Sequence, residues 1–139
     1  MFSKIVITFG IVLYAIVVPV LEINATHVFN PDWPPHARIH EVWQLITNSS
    51  IGVLCLWFTW KQGKVLLSSI LSLLVTGGFL TAFALQESYG GSMKYLDGSE
   101  KTLLGLNIGV VGFGLVVILL AGVIFTEYRK SYRKGPGWT

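Results

Sequence analysis

The chain has 139 residues, of which 53% are hydrophobic and only 12% are charged. A soluble domain carries about 25% charged residues, so this composition excludes an ordinary soluble enzyme and predicts a polytopic membrane protein. The net charge of +3 does not indicate a nucleic-acid partner, because in a membrane protein the positions of the charges matter more than their sum. The single cysteine, Cys55, excludes a disulfide framework and a cysteine-based zinc motif.

Four apolar stretches predict an all-α, integral membrane four-helix bundle that forms one domain over residues 1–139. Each is close to the length of about 20 residues that crosses a bilayer core. The predicted spans cover residues 5–21, 36–60, 65–85 and 103–125. The first span can also be read as a signal peptide with cleavage after Ala25. Pro19 predicts a bend near the end of the first helix.

The stretch from His27 to Asn48 contains all three histidines of the chain. The pair Pro34–Pro35 predicts the start of the second helix, because proline fits a first turn. A helix from Pro35 carries polar side chains at i, i+4 spacing on one arc; these are His36, His40, Gln44 and Asn48. A polar arc within a membrane span is costly unless it faces other helices or a wet cavity. We therefore expect this arc to face the interior of the bundle.

Small residues predict close packing in the last two spans. Ser68, Ser72 and Thr76 repeat every four residues along the third span. Gly105 and Gly109 form a GxxxG pair at the start of the fourth. Small residues at these spacings let helix backbones approach one another, so we expect both patterns to lie at helix–helix contacts.

The distribution of Lys and Arg predicts that both termini are cytoplasmic, following the positive-inside rule. The N-terminus, the turn after the second span and the tail hold seven of these residues: Lys4, Lys61, Lys64, Arg129, Lys130, Arg133 and Lys134. The opposite side holds three: Arg38, Lys94 and Lys101. This orientation suits the endoplasmic reticulum or a bacterial inner membrane. The sequence leaves open whether the sequon at Asn24 is glycosylated.

Polar residues at the non-cytoplasmic ends of all four spans predict a pocket. His40 and Glu41 form the expected proton-handling pair, with His36 nearer the surface, because a His/Glu pair in a low-dielectric site suits proton transfer. The expected substrate-binding residues are Glu22, Trp33, Trp43, Gln44, Asn48, Glu87 and Asn107. Two histidines at i, i+4 can also share a metal ion. Since an H-E-x-x-H arrangement and a second ligand cluster are missing from the sequence, we expect no metal and no cofactor.

The run Asn24–Gln44, NATHVFNPDWPPHARIHEVWQ, resembles the signature segment of an uncharacterised family of small four-span membrane proteins. That resemblance implies the four-span fold but no activity. In architecture alone the chain also resembles the EXPERA group, whose emopamil-binding sterol isomerases use acids to protonate and shift a double bond. No EXPERA motif aligns residue by residue, so no roles are transferred. A likeness to the eicosanoid and glutathione membrane enzymes fails at residues 36–41, where their arginine-and-asparagine pattern is not matched.

Two functions therefore remain open. The first is a membrane-embedded acid/base enzyme of the isomerase, cyclase or epoxide-opening type, acting on a lipid-like or isoprenoid substrate. The second is a non-catalytic ligand-binding or assembly protein, in which the His-rich segment plugs the mouth of the bundle. In either case the expected partners are the lipid bilayer and a hydrophobic small molecule, with no nucleic acid. The sequence also leaves room for a homo-oligomer.

Overall fold

The structure, a computed structural model, describes residues 1–133 and confirms the predicted all-α four-helix bundle. Lys134, which we counted in the basic tail, lies outside the described residues. Four long helices cross the molecule: α1 (Phe2–Glu22), α2 (Pro35–Trp60), α3 (Val65–Leu85) and α4 (Ile108–Arg133). A short 3₁₀ turn at Gln86–Tyr89 follows α3. The strands β1 (Thr102–Leu103) and β2 (Leu106–Asn107) pair as an antiparallel hairpin before α4.

Helix α1 contains a π-helical segment at Leu13–Val17, directly before Pro19. Proline has no N–H to donate to the preceding turn, so a carbonyl of that turn needs another donor. The Ser49 hydroxyl of α2 donates to the carbonyl oxygen of Ala15, four residues before the proline, at 2.9 Å. The distortion expected from Pro19 is therefore present as a wider turn, and α2 satisfies the carbonyl that it frees.

The inward face of α2 follows a spacing of three and four residues; it consists of Glu41, Leu45, Asn48, Gly52, Cys55 and Thr59. This spacing is that of helices packed side by side. Gly52 marks the closest approach to α1: a Cβ at this position would lie 2.5 Å from the Cβ of Ala15. The packing of α1 against α2 therefore requires a glycine here.

Helix α3 packs through the small polar residues that the sequence indicated. Ser68, Ser72 and Thr76 are fully buried. The Ser68 hydroxyl donates to the carbonyl of Cys55 at 3.1 Å, and the hydroxyls of Tyr14 and Ser72 lie 3.3 Å apart. Ser68 and Ser72 thus have partners on other helices, which removes the cost of burying their hydroxyls in an apolar bundle.

Helix α4 begins at Ile108 and not at residue 103, because residues 102–107 form the hairpin. The two-residue turn of this hairpin, Leu104–Gly105, has positive φ at both positions (53° and 80°), as a type I′ hairpin turn requires. Gly105 therefore lies outside the helix, and the predicted GxxxG packing pair with Gly109 is wrong. The side-chain oxygen of Asn107 accepts the Gly109 N–H at 2.8 Å and starts the helix there.

The outer surface of the bundle is rich in exposed apolar side chains, as expected for helices that face lipid. At the end that holds both the N-terminus and the turn after α2, Trp57 and Trp60 are about half exposed. The Trp60 indole N–H donates to the Thr8 hydroxyl at 3.0 Å, and the Lys4 ammonium lies 5.3 Å from the Trp60 ring centroid. Such partly wet aromatic and cationic pairs are typical of a headgroup region.

Candidate functional site at the loop end of the bundle

The segments 23–34 and 90–107 meet at one end of the bundle, which we call the loop end. Asn30 organises the first of them: it is buried, its amide donates to the carbonyl of Thr26 at 3.0 Å, and its side-chain oxygen accepts the Asp32 N–H at 3.0 Å. The Val28 N–H donates to the carbonyl of Glu22 at 3.2 Å. These bonds fold the segment back over the end of α1 and hold His27 against the bundle.

Three titratable side chains meet beneath this segment: Glu22 at the end of α1, His27 on the loop and Glu41 on the inward face of α2. We call them the acid–histidine cluster. His27 Nε2 lies 3.0 Å from a carboxylate oxygen of Glu22, and the two side chains are only 24% and 26% exposed. Glu41 is half-buried, and its charge acts on both Glu22 and His27. One acid, Glu22, thus contacts the imidazole, and a second, Glu41, acts on it through its charge.

The protons of this cluster have two consistent arrangements. His27 Nδ1 lies 2.8 Å from the Thr26 hydroxyl, which is also 2.7 Å from the side-chain oxygen of Asn24. If Thr26 donates to Asn24, then Nδ1 carries the imidazole proton, and Nε2 of the neutral ring accepts a proton from Glu22. If Thr26 donates to Nδ1, then Nε2 donates to a Glu22 carboxylate. The first arrangement holds one proton more than the second, because both the Glu22 carboxyl and the ring are protonated in it, so passing between the two exchanges one proton with the surroundings.

Burial of the ring lowers the pKa of His27 below its ordinary value of 6.5; the nearby Lys101 lowers it further, whereas the Glu41 carboxylate opposes the shift. The contact with Glu22 alone would favour an imidazolium. Because the net direction is downward, the neutral imidazole is the form present near pH 7. A neutral imidazole offers one donor and one acceptor, which matches the two contacts that His27 makes with Glu22 and Thr26.

Aromatic rings surround the imidazole. The ring of Trp33 meets it edge-on at 5.7 Å between centroids, and the ring of Tyr95 does so at 5.9 Å. The Lys101 ammonium lies 5.7 Å from the Tyr95 ring centroid. The predicted site residues Glu22, Trp33 and Glu41 are therefore brought together, with Tyr95 and Lys101 contributed by the second loop-end segment.

The other predicted residues of α2 lie elsewhere. His36, His40, Trp43 and Gln44 are exposed on the outer surface of the helix, so the expectation that this arc faces the bundle interior is corrected. The inward face is set by Gly52, Cys55 and Thr59, and counting back from Gly52 by four, three and four residues reaches Asn48, Leu45 and Glu41. Asn48 is half-buried on that face. The catalytic roles predicted for His36 and His40 stay predictions.

Glu87 and Asn107 have no contact with the acid–histidine cluster among the hydrogen bonds and ion pairs of the described residues. Glu87 is exposed in the 3₁₀ turn after α3 and lines an open cleft of about 310 Å³. Asn107 caps α4, and its amide also donates to the Glu100 carboxylate at 3.0 Å. Glu100 lines the same cleft. The bonds made by Asn107 account for its position without a ligand.

His27 is the residue that sequence reasoning missed, although it was recognised as one of three histidines. The i, i+4 spacing of His36 and His40 drew attention to the outer face of α2. The signal that points to His27 is the asparagine-rich turn at residues 24–30, which folds the loop back toward Glu22.

Each of the four helices is long and apolar enough to span a membrane. The fold is therefore that of an integral, multi-pass membrane helical bundle, with an acid–histidine cluster at its loop end. Comparison of the chain with protein-family models, with curated proteins and with solved structures finds no match.

Proposed function

We propose that this chain is a membrane-embedded acid/base enzyme, of the isomerase, cyclase or epoxide-opening type, that acts on a lipid-like or isoprenoid substrate at the loop end. The observation that carries the proposal is the acid–histidine cluster: Glu22 and His27 in contact at 3.0 Å, with the charge of Glu41 acting on both. Buried ionisable groups that face a bundle interior are costly and mark functional sites by default.

In the isomerase case, Glu41 is the general acid, and the Glu22 carboxylate, which accepts the Nε2–H of His27, is the general base. Glu41 gives its proton to one carbon of a double bond, and the π electrons form the new C–H bond and leave a carbocation. The Glu22 carboxylate removes a proton from a neighbouring carbon, whose C–H electrons form the shifted double bond. The Nε2–H of His27 holds the Glu22 carboxyl in place, and return of the proton to Glu41 closes the cycle. The faces of Trp33 and Tyr95 stabilise the cation.

An apolar substrate fits the surroundings of the cluster. Ile23 and Phe29 are exposed apolar side chains of the covering segment. The positive-inside rule places this end away from the cytoplasm, so the substrate reaches the cluster from the non-cytoplasmic leaflet.

Deuterium incorporation tests the proposal with a mixture of substrates of the expected class. The purified protein in lipid vesicles is incubated in D₂O with sterol and isoprenoid alkenes, and mass spectrometry follows deuterium on carbon. We expect Glu41→Gln and Glu22→Gln each to reduce incorporation by about 10²–10⁴-fold, the usual contribution of a positioned acid or base. His27→Gln, which removes the ring that holds Glu22, should also reduce it. Asp32→Asn, an exposed acid of the same segment, is the control and should keep the wild-type rate. No incorporation by folded wild-type protein would contradict the proposal.

The alternative is a non-catalytic ligand-binding or assembly protein, and the hydrogen bonding of the 23–34 segment favours it. Buried Asn30 uses both its amide and its oxygen to fold that segment, as a structural plug would. Under this alternative His27→Gln and Glu41→Gln lower the melting temperature, and wild-type protein moves no deuterium. Under the enzyme proposal the two variants stay folded and lose incorporation.

A further inference from the structure

His36 and His40 lie outside the acid–histidine cluster but contact each other. They occupy the first two turns of α2, and both are exposed. Their Nε2 atoms are 3.1 Å apart, and their ring centroids are 4.5 Å apart. The same nitrogen of two imidazoles therefore lies at one place on the surface of the loop end.

This separation matches two ligands of one metal ion. An ion bonded to both nitrogens at the usual Zn–N length of about 2.05 Å would subtend an angle of about 98° at the metal. That angle lies between the tetrahedral and the octahedral values. The same 3.1 Å contact also suits a hydrogen bond in which one ring donates its Nε2–H to the other; a metal ion would take the place of that proton.

We propose, against the expectation from the sequence that no metal binds, that His36 and His40 form a surface site for a divalent transition-metal ion. Imidazole nitrogen suits Zn²⁺, Ni²⁺ and Cu²⁺, whereas Mg²⁺ and Ca²⁺ prefer oxygen ligands. Two protein ligands leave the remaining coordination positions to water or to a group from another molecule. The proposal does not rest on the proposed enzymatic function, because neither histidine belongs to the acid–histidine cluster.

Trp43 supplies a readout at the site. Its ring centroid lies 5.8 Å from that of His40, and its side chain is 65% exposed. Paramagnetic Ni²⁺ or Cu²⁺ held by the two histidines should quench Trp43 fluorescence. In the variant Trp43→Phe only the other tryptophans fluoresce. The metal-dependent quenching should therefore largely disappear in that variant.

Calorimetric titration of the detergent-solubilised full chain with Zn²⁺ tests the assignment. His36→Ala and His40→Ala should each weaken Zn²⁺ binding at least about tenfold, which corresponds to about 1.4 kcal/mol. His27→Gln should keep the wild-type affinity. The matched control is the double variant His40→Ala/Arg38→His: it has the same number of histidines, but residues 36 and 38 lie about 200° apart around the helix, so it should also lose affinity.

Three results would overturn the proposal. The first is equal Zn²⁺ affinity in the wild type, His36→Ala and His40→Ala. The second is loss of affinity in His27→Gln alone, which would place the ion at the acid–histidine cluster. The third is displacement of Zn²⁺ by a comparable concentration of Mg²⁺. Because the readout is metal affinity, these results leave the deuterium experiment unaffected.

Discussion

The partly buried imidazole of His27 makes the stability of the protein depend on pH. Its pKa is lower in the folded chain than the ordinary 6.5, chiefly because burial disfavours the charged form. In the unfolded chain His27 therefore binds a proton at a higher pH than in the folded chain. Its contribution to stability is complete above about pH 6.5 and is lost as the pH falls toward the folded-state pKa.

We therefore expect the melting temperature of the wild type in detergent to fall between pH 7.5 and pH 5.5. His27→Gln, which cannot take up the proton, should show a smaller fall. His36 and His40 are present in both proteins, so the difference between the two profiles reports on His27. Parallel profiles would show that His27 is as free to ionise in the fold as in the unfolded chain.

Two of the three residues of the acid–histidine cluster could be predicted from the sequence, and the reason is physical. Glu22 and Glu41 were identified as acids near the ends of apolar spans, where burying a charge is costly and therefore indicates a functional site. His27 could not be placed, because a loop residue has no periodicity to reveal its neighbours. His40 was placed on the wrong face because both faces of α2 carry polar residues, and only the small residues Gly52 and Cys55 distinguish the packed one.

At the scale of elements, the contact between α1 and α2 depends on Gly52. A Cβ there would lie 2.5 Å from the Cβ of Ala15 and 3.2 Å from Cγ2 of Ile11. Gly52→Ala should therefore destabilise the protein by about 1–3 kcal/mol, the usual cost of overpacking. Gly78→Ala on α3 is the matched control, since a Cβ there meets nothing within 4 Å and alanine is the better helix former. Equal melting temperatures for the two variants would show that α1 moves aside without cost.

The helices themselves were predictable to different degrees. The start of α2 at Pro35 and the whole of α3 follow from proline position and apolar length, and the structure has them there. The start of α4 was placed five residues too early, because Leu103, Leu104 and Leu106 read as apolar helix. The positive φ at Leu104 and the cap at Asn107 are backbone features that hydropathy does not report.

At the scale of the whole molecule, the orientation in the membrane is a separate prediction. The positive-inside rule places the loop end outside and the tail inside. In intact cells, an impermeant maleimide should label Lys94→Cys and should not label Ser131→Cys. Both positions are exposed, and the native Cys55 is fully buried and gives little background. Labelling of Ser131→Cys alone would show that the protein has the opposite orientation, with the acid–histidine cluster at the cytoplasmic leaflet.

The hydrogen bond from Ser49 to Ala15 links the biogenesis of the first two helices. In hydrocarbon an unpaired carbonyl costs several kcal/mol, and the donor for Ala15 is translated only 34 residues later. We therefore expect α1 and α2 to leave the translocon together as a helical hairpin. Ser49→Ala should lower the yield of membrane-integrated nascent chains that end after α2. Ser50→Ala should not, because Ser50 donates within its own helix to Ile46; equal yields would mean that α1 enters the bilayer alone.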